Sequence, residues 1–143
     1  MVRNSLKLFE TGRKGLILLD ASTADPTMSK ALSTELATVG VDMADCTVSG
    51  TSEMARVRDT VFMFGGRKET YEQCIPLFQA MGREWVYMGG HGNGATIKLV
   101  VNLVLALNRM GLAEGLTLAK KAGLDALQTL EVIKKSAAGS KCM

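Results

Sequence analysis

Lys98 and Asn102 stand four residues apart at the start of a strongly apolar run. On a helix that spacing puts one a turn above the other on a single face. A lysine one turn into a helix opposes the helix dipole, which favours anions at that end. Burial adds a second cost, because it disfavours the charged form of an amine. An amine that gives up its proton readily is suited to proton transfer. Lysine is therefore a poor choice there unless something uses it. A second reading stays open on spacing alone: Lys98 snorkels to the surface and Asn102 satisfies a backbone group.

The element that carries this pair opens as a glycine-rich turn, Gly89-Gly90-His91-Gly92-Asn93-Gly94. It continues without proline and with good helix formers, which predicts one helix from about Ala95 to Lys121. From Leu99 to Leu107 that helix is apolar on almost every side, the pattern of a buried helix. The run holds Asn102 and is bounded by Lys98 and Arg109, well short of the roughly 20 residues of a membrane span.

Upstream, the chain alternates apolar runs with helical patterns. Gly15 to Asp20 is a continuous apolar run ending in a carboxylate, expected to be a strand buried on both faces. Asp25-Pro26 reads as N-cap and first helical residue. The helix from Pro26 to Val39 carries apolar Met28, Leu32, Leu36 and Val39, and Gly40 stops it. Val41 to Val48 is a second strand, so the first unit is a right-handed parallel crossover. Ser49 to Ser52 is a polar turn at its carboxyl end, where open α/β sheets bind ligands. On local sequence alone that turn reads as an ordinary strand-to-helix cap. A short helix or loop (Glu53 to Asp59), a strand (Thr60 to Phe64), a helix (Glu69 to Met81, with Pro76 predicting a kink or late start) and a strand (Trp85 to Met88) lead to the glycine turn. A last helix runs from about Asp125 to Lys135. A central-type strand needs neighbours on both sides, and the final helical hairpin is too short to cover the long helix. Apolar surface on this chain is therefore expected to be covered from outside, most simply by another copy.

Composition narrows the class. The chain has 143 residues, 47% hydrophobic and 22% charged, with a formal charge of +3. That is one globular domain's worth of chain. Aromatics make up 5% and no basic run occurs, so nucleic-acid binding is not expected. Cys46, Cys74 and Cys142 are dispersed, which suggests a reducing, cytoplasmic setting without a disulfide framework. His91 is the single histidine, so no metal site is expected. The N-terminal stretch lacks the apolar core of a signal peptide.

Three motifs then match a family, in order and spacing. Asp20-Ala21-Ser22-Thr23-Ala24-Asp25-Pro26 is similar to a D-x-S-T-x-x-P cofactor loop. Asp45-Cys46-Thr47-Val48-Ser49-Gly50 is similar to a D-A-P-V-S-G substrate loop. Gly92-Asn93-Gly94-Ala95-Thr96-Ile97-Lys98, with Asn102 and Leu112-Ala113-Glu114, is similar to G-x-G-x-x-x-K-x-x-x-N…LAE. The chain resembles the β-hydroxyacid dehydrogenases, the group that includes 3-hydroxyisobutyrate dehydrogenase and tartronate semialdehyde reductase.

The resemblance implies an NAD(P)-dependent oxidoreductase interconverting a small 3-hydroxy acid and its carbonyl form. It implies Lys98 as general acid/base, since loss of a hydride from a hydroxyl carbon needs a proton acceptor at the oxygen. It implies Ser49, Gly50, Thr51 and Asn102 at the substrate, and Ser22 and Thr23 against the nicotinamide end of NAD or NADP. The implied fold is α/β. Residues 1–93 are the later portion of a Rossmann-like dinucleotide-binding domain, and 94–143 a long interdomain helix opening an all-α domain. Two departures bear on the substrate: Thr47 stands where the family has proline, and Thr51 where it has a second glycine. A third is larger. The family's first strand–turn–helix carries G-x-G-x-x-G, which seats the pyrophosphate, and no such turn occurs here. Gly90-His91-Gly92-Asn93-Gly94 looks similar but precedes the lysine helix. The expectation is a portion truncated at both ends and weak or inactive alone. The alternative is a non-catalytic oligomerisation or binding module that keeps the family architecture, assembling as a homo-oligomer through the long helix.

Overall fold

The computed structural model describes residues 8–11 and 14–140. The expected helix end at Gly12 and the cysteine at 142 lie outside the described residues. The described elements are α1 (Leu8–Thr11), β1 (Leu16–Asp20), α2 (Pro26–Ala37), β2 (Val41–Ser49), α3 (Ser52–Arg56), β3 (Val61–Gly65), α4 (Lys68–Met81), β4 (Glu84–Tyr87), α5 (Asn93–Lys121) and α6 (Ala126–Lys135). The chain divides into one compact unit ending at Leu99 and a second beginning at Val100.

The first unit is a four-stranded sheet in the order β1-β2-β3-β4. β1 and β2 are parallel, with Asp20 opposite Asp45. β2 and β3 are antiparallel, with Ser49 opposite Val61, and β3 and β4 are again parallel. Each parallel pair is joined through a helix, α2 or α4, as parallel neighbours require. The two antiparallel strands are joined through the one short helix α3.

β2 is the axis of the sheet. Its side chains alternate, so Val41, Met43, Asp45 and Thr47 share one face and Ala44 and Cys46 the other. Val41 and Met43 pack with Leu8 and Leu36. Ala44 and Cys46 pack with Phe62, Phe64, Cys74 and Phe78, where Phe64 meets Tyr71 edge-on at 5.4 Å between ring centres. Burial on both faces explains why β3 is continuous in apolar character, while β2, equally buried at its centre, keeps polar Asp45 and Thr47.

Three details differ from the sequence expectation. All five residues of β1 are only half-buried, because β1 is the edge strand of the described sheet and lacks a neighbour on one side. On α2, Ser29, Ser33 and Leu36 are the buried residues, while Met28 is 65% exposed. Small serines at i and i+4 let the helix approach the sheet closely, and the apolar stripe is displaced accordingly. Asp25 caps this helix by accepting from the Thr27 and Met28 amides at 2.7 and 3.1 Å. Pro76 lies inside α4, which begins at Lys68 and runs through it.

In the second unit, α5 continues to Lys121 and ends at Gly123, whose φ of +81° suits a residue without Cβ. Asp125 caps α6 through the Gln128 amide at 2.8 Å. Leu103, Val104, Leu107 and Met110 on α5 are all more than half exposed. By length and composition α5 is the one described helix that could cross a membrane.

Candidate active site

The site is built where β2 meets the first turns of α5. Polar residues occur on β2 at positions 45 and 47 although the strand is buried there. A buried polar group needs a partner, and both find one at the start of α5. The Asp45 carboxylate accepts from the Gly92 amide at 2.8 Å and from the Ala95 amide at 2.8 Å. These are orphan donors of a helix N-terminus, and a carboxylate is the charge that end favours. The Thr47 hydroxyl donates to the Gly94 carbonyl at 2.7 Å. Gly94 has no room for a side chain: a Cβ there would lie 2.8 Å from the Met63 carbonyl and 2.9 Å from the Gly65 amide, and collide with the Asp45 carbonyl.

With its first turn held, α5 delivers Lys98 to the carboxyl end of β2. The half-buried lysine donates from Nζ to the Val48 carbonyl at 2.6 Å. Residues 50 apart in sequence are thus joined, and the ammonium keeps two further donors. Ser49, half-buried, follows Val48 directly, and exposed Gly50 turns the chain away from the strand. Gly50 has φ +150°, and a Cβ there would lie 2.8 Å from Thr60 Cγ2. Thr51 is exposed and caps α3, accepting from the Met54 amide at 3.3 Å. It shapes the turn.

Ser22 and Thr23 lie exposed just beyond the carboxyl end of β1. The Asp20 carboxylate accepts from the Ser22 amide at 2.9 Å and opens the loop there. The loop is tied to the start of α5 through close approach: a Cβ on Gly92, whose φ is +88°, would lie 2.9 Å from the Pro26 carbonyl. All three motif segments therefore converge on one end of the first unit. Among the described residues no hydrogen bond links Ser22 or Thr23 to Lys98. Asn102 follows Lys98 by four residues on α5, is half-buried, and belongs to the second unit.

Thr47, the departure from the family's proline, points away from solvent. It is 0% exposed, so a substrate cannot touch it. Its hydroxyl is spent on the Gly94 carbonyl in the first turn of α5. The sequence signal was present in a hydroxyl within a strand buried on both faces. Its partner lies 47 residues away, beyond the reach of local reasoning.

Two family models match the chain, one on each side of His91 in the glycine turn. The family described as the NAD binding domain of 6-phosphogluconate dehydrogenase matches residues 1–90. The family described as the NAD-binding domain of NADP-dependent 3-hydroxyisobutyrate dehydrogenase matches residues 92–143. Mitochondrial 3-hydroxyisobutyrate dehydrogenase of Mus musculus is 35% identical over 124 residues, covering 87% of this chain and 37% of that enzyme. The structure of Mycobacterium tuberculosis 3-hydroxyisobutyrate dehydrogenase with L-serine superposes with a TM-score of 0.82 at 27% identity, covering 92% of this chain and 45% of that one. Psf3 in complex with NADP+ and 2-OPP gives a TM-score of 0.81 at 28% identity, covering 89% and 45%. Fold, motifs and likeness together place the chain among relatives of Rossmann-like NAD-binding proteins. The chain belongs to the β-hydroxyacid dehydrogenase family. It spans less than half the length of these relatives.

The nicotinamide cofactor this family implies can be tested against the residues present. The exposed Ser22–Thr23 loop fits the nicotinamide end, since it lies beyond the carboxyl end of a parallel strand. The glycine turn before α5 does not fit a pyrophosphate. Its Gly92 and Ala95 amides are already taken by the Asp45 carboxylate, and a second anion there would be repelled.

Proposed function

We propose that this chain carries the proton-transfer and substrate site of an NAD(P)-dependent dehydrogenase acting on a small 3-hydroxy acid. The observation that carries this reading is the Lys98 ammonium, half-buried and held 2.6 Å from the Val48 carbonyl beside Ser49 and Gly50. Lys98 is the catalytic residue: as the neutral amine it takes the hydroxyl proton while the alcohol is oxidised, and as the ammonium it returns that proton while the carbonyl is reduced. The Ser49 hydroxyl and the turn at Gly50 hold the substrate carboxylate, with Thr51 fixing the turn, and Asn102 supplies a further hydrogen bond from the next turn of α5. Ser22 and Thr23 would hold the nicotinamide end of the cofactor, which would supply the hydride acceptor or donor when bound. Because no G-x-G-x-x-G turn occurs in this sequence and the Asp45 carboxylate fills the glycine turn before α5, cofactor affinity is expected to be weak and activity low.

The exposed apolar residues of α5 favour a second reading, in which the chain is an oligomerisation module and Lys98 is structural. One titration separates them. The chain and its Lys98→Met variant are titrated with 3-hydroxyisobutyrate, with and without NADP+ or NAD+, and followed by the fluorescence of half-buried Trp85. A saturable substrate signal that is lost in Lys98→Met is expected. Any turnover should fall about 10²- to 10⁴-fold with it. Equal signals in both proteins, or none in either at millimolar substrate, would leave only the oligomerisation module.

A further inference from the structure

We infer that Thr47, together with Asp45, is a positioning residue for Lys98, gripping the first turns of α5 so that the amine is held at the carboxyl end of β2. This rests on the reading of Lys98 as the proton-transfer group.

The argument is one of register. β2 touches α5 through three polar contacts: Asp45 at Gly92 and Ala95, Thr47 at Gly94, and Val48 at Lys98. The first two hold backbone, so they set where the helix begins and how it is rotated. Successive helical residues turn by 100° and rise 1.5 Å. A slip of one residue at Gly94 would therefore carry Lys98 to another side of the helix. The third contact, from a flexible four-carbon side chain, has no such leverage on its own. Glycines at 65 and 94 let the backbones close to contact distance, and the Thr47 hydroxyl uses that closeness.

Proline, which stands at this position in the family, has neither an amide hydrogen nor a hydroxyl. Thr47 thus adds a bond to the Gly94 carbonyl that the family residue cannot make. At 0% exposure, its effect on a substrate can pass only through the helix it holds.

The experiment reads Lys98 directly and needs no turnover. Trace acylation of lysines at fixed pH, quantified by mass spectrometry, compares Lys98 with exposed Lys30 and Lys68 as internal standards. Thr47→Val keeps the shape of the side chain and removes the donor, while Thr47→Ser keeps the donor. Thr47→Val should free Lys98 from Val48 and raise its relative labelling about fivefold, the loss expected for one net hydrogen bond. Thr47→Ser should restore the unsubstituted rate. Unchanged Lys98 labelling in a folded Thr47→Val protein, or equal labelling in the valine and serine variants, overturns the inference. Should the valine variant not fold, NMR of the unsubstituted chain decides: a slowly exchanging Thr47 hydroxyl proton supports the grip, and a freely exchanging one removes it. Failure here leaves the dehydrogenase reading intact. Failure of the substrate titration leaves Thr47 holding a helix whose lysine has no substrate.

Discussion

Cys46 lies 2% exposed in the middle of β2, and its thiol answers to its surroundings. Burial, the neighbouring Cys74 and the Asp45 carboxylate all disfavour a thiolate there, and the thiol is pushed up from 9.0 to about 12. The unfolded chain releases this proton near its ordinary value while the folded protein retains it. The stabilising difference is therefore whole below pH 9 and is lost as the pH rises from 9 toward about 12. Chemical unfolding at a series of pH values should show the unsubstituted chain losing stability more steeply across that window than Cys46→Ala. Equal slopes would mean that Cys46 does not titrate as its burial requires. The neighbouring residue shows how far a single position can be read from sequence. The spacing of Lys98 and Asn102 and the run Ser49-Gly50 pointed to chemistry because their meaning is local or carried by a motif. Thr47 was read as a departure bearing on substrate. Nothing near it in sequence tells a solvent-facing hydroxyl from one aimed at a carbonyl 47 residues on.

The elements were more legible than their faces. An apolar run after glycine marks β1, an apolar run closed by glycine marks β3, and an unbroken run of helix formers marks α5, because these signals depend on neighbours a few residues away. The burial of β1 and the orientation of α2 were not legible, since both depend on what packs against them. Met28 looks like a core residue by helical period, yet the structure buries Ser29 and Ser33. The glycines of α5 show the same split between local propensity and tertiary contact. Gly111 has nothing within 4 Å of where a Cβ would stand, whereas Gly94 is hemmed in by backbone atoms of two strands, β2 and β3. Gly111→Ala should raise stability by about 0.5–1 kcal/mol, the usual gain in a helix interior. Gly94→Ala should cost at least about 1–3 kcal/mol, because backbone must move to admit the methyl group. Thermal unfolding of the two variants tests this, and similar shifts in both would refute the close approach at Gly94.

At the scale of the molecule, the apolar side chains that α5 leaves in solvent set the expected behaviour. Leu103 is 61% exposed and Leu107 57%, one turn apart on the same helix. Such stripes mark surfaces that are covered in use. Sedimentation at micromolar concentration is expected to show self-association, which the paired change Leu103→Glu and Leu107→Glu should reverse. A chain that stays monomeric at tens of micromolar would contradict it. The grip of β2 on α5 has one more consequence, and it concerns time. Its contacts join residues 47 to 50 positions apart. The intervening sheet must come together before any of them can form, and the entropy of closing so long a loop is spent before they return anything. Lys98 is therefore expected to reach its place late in folding, after β3 has joined β2 and β4 has joined β3. The site should be the last part of the first unit to assemble, with Gly94→Ala acting mainly on how fast the native state comes apart and little on how fast it is reached.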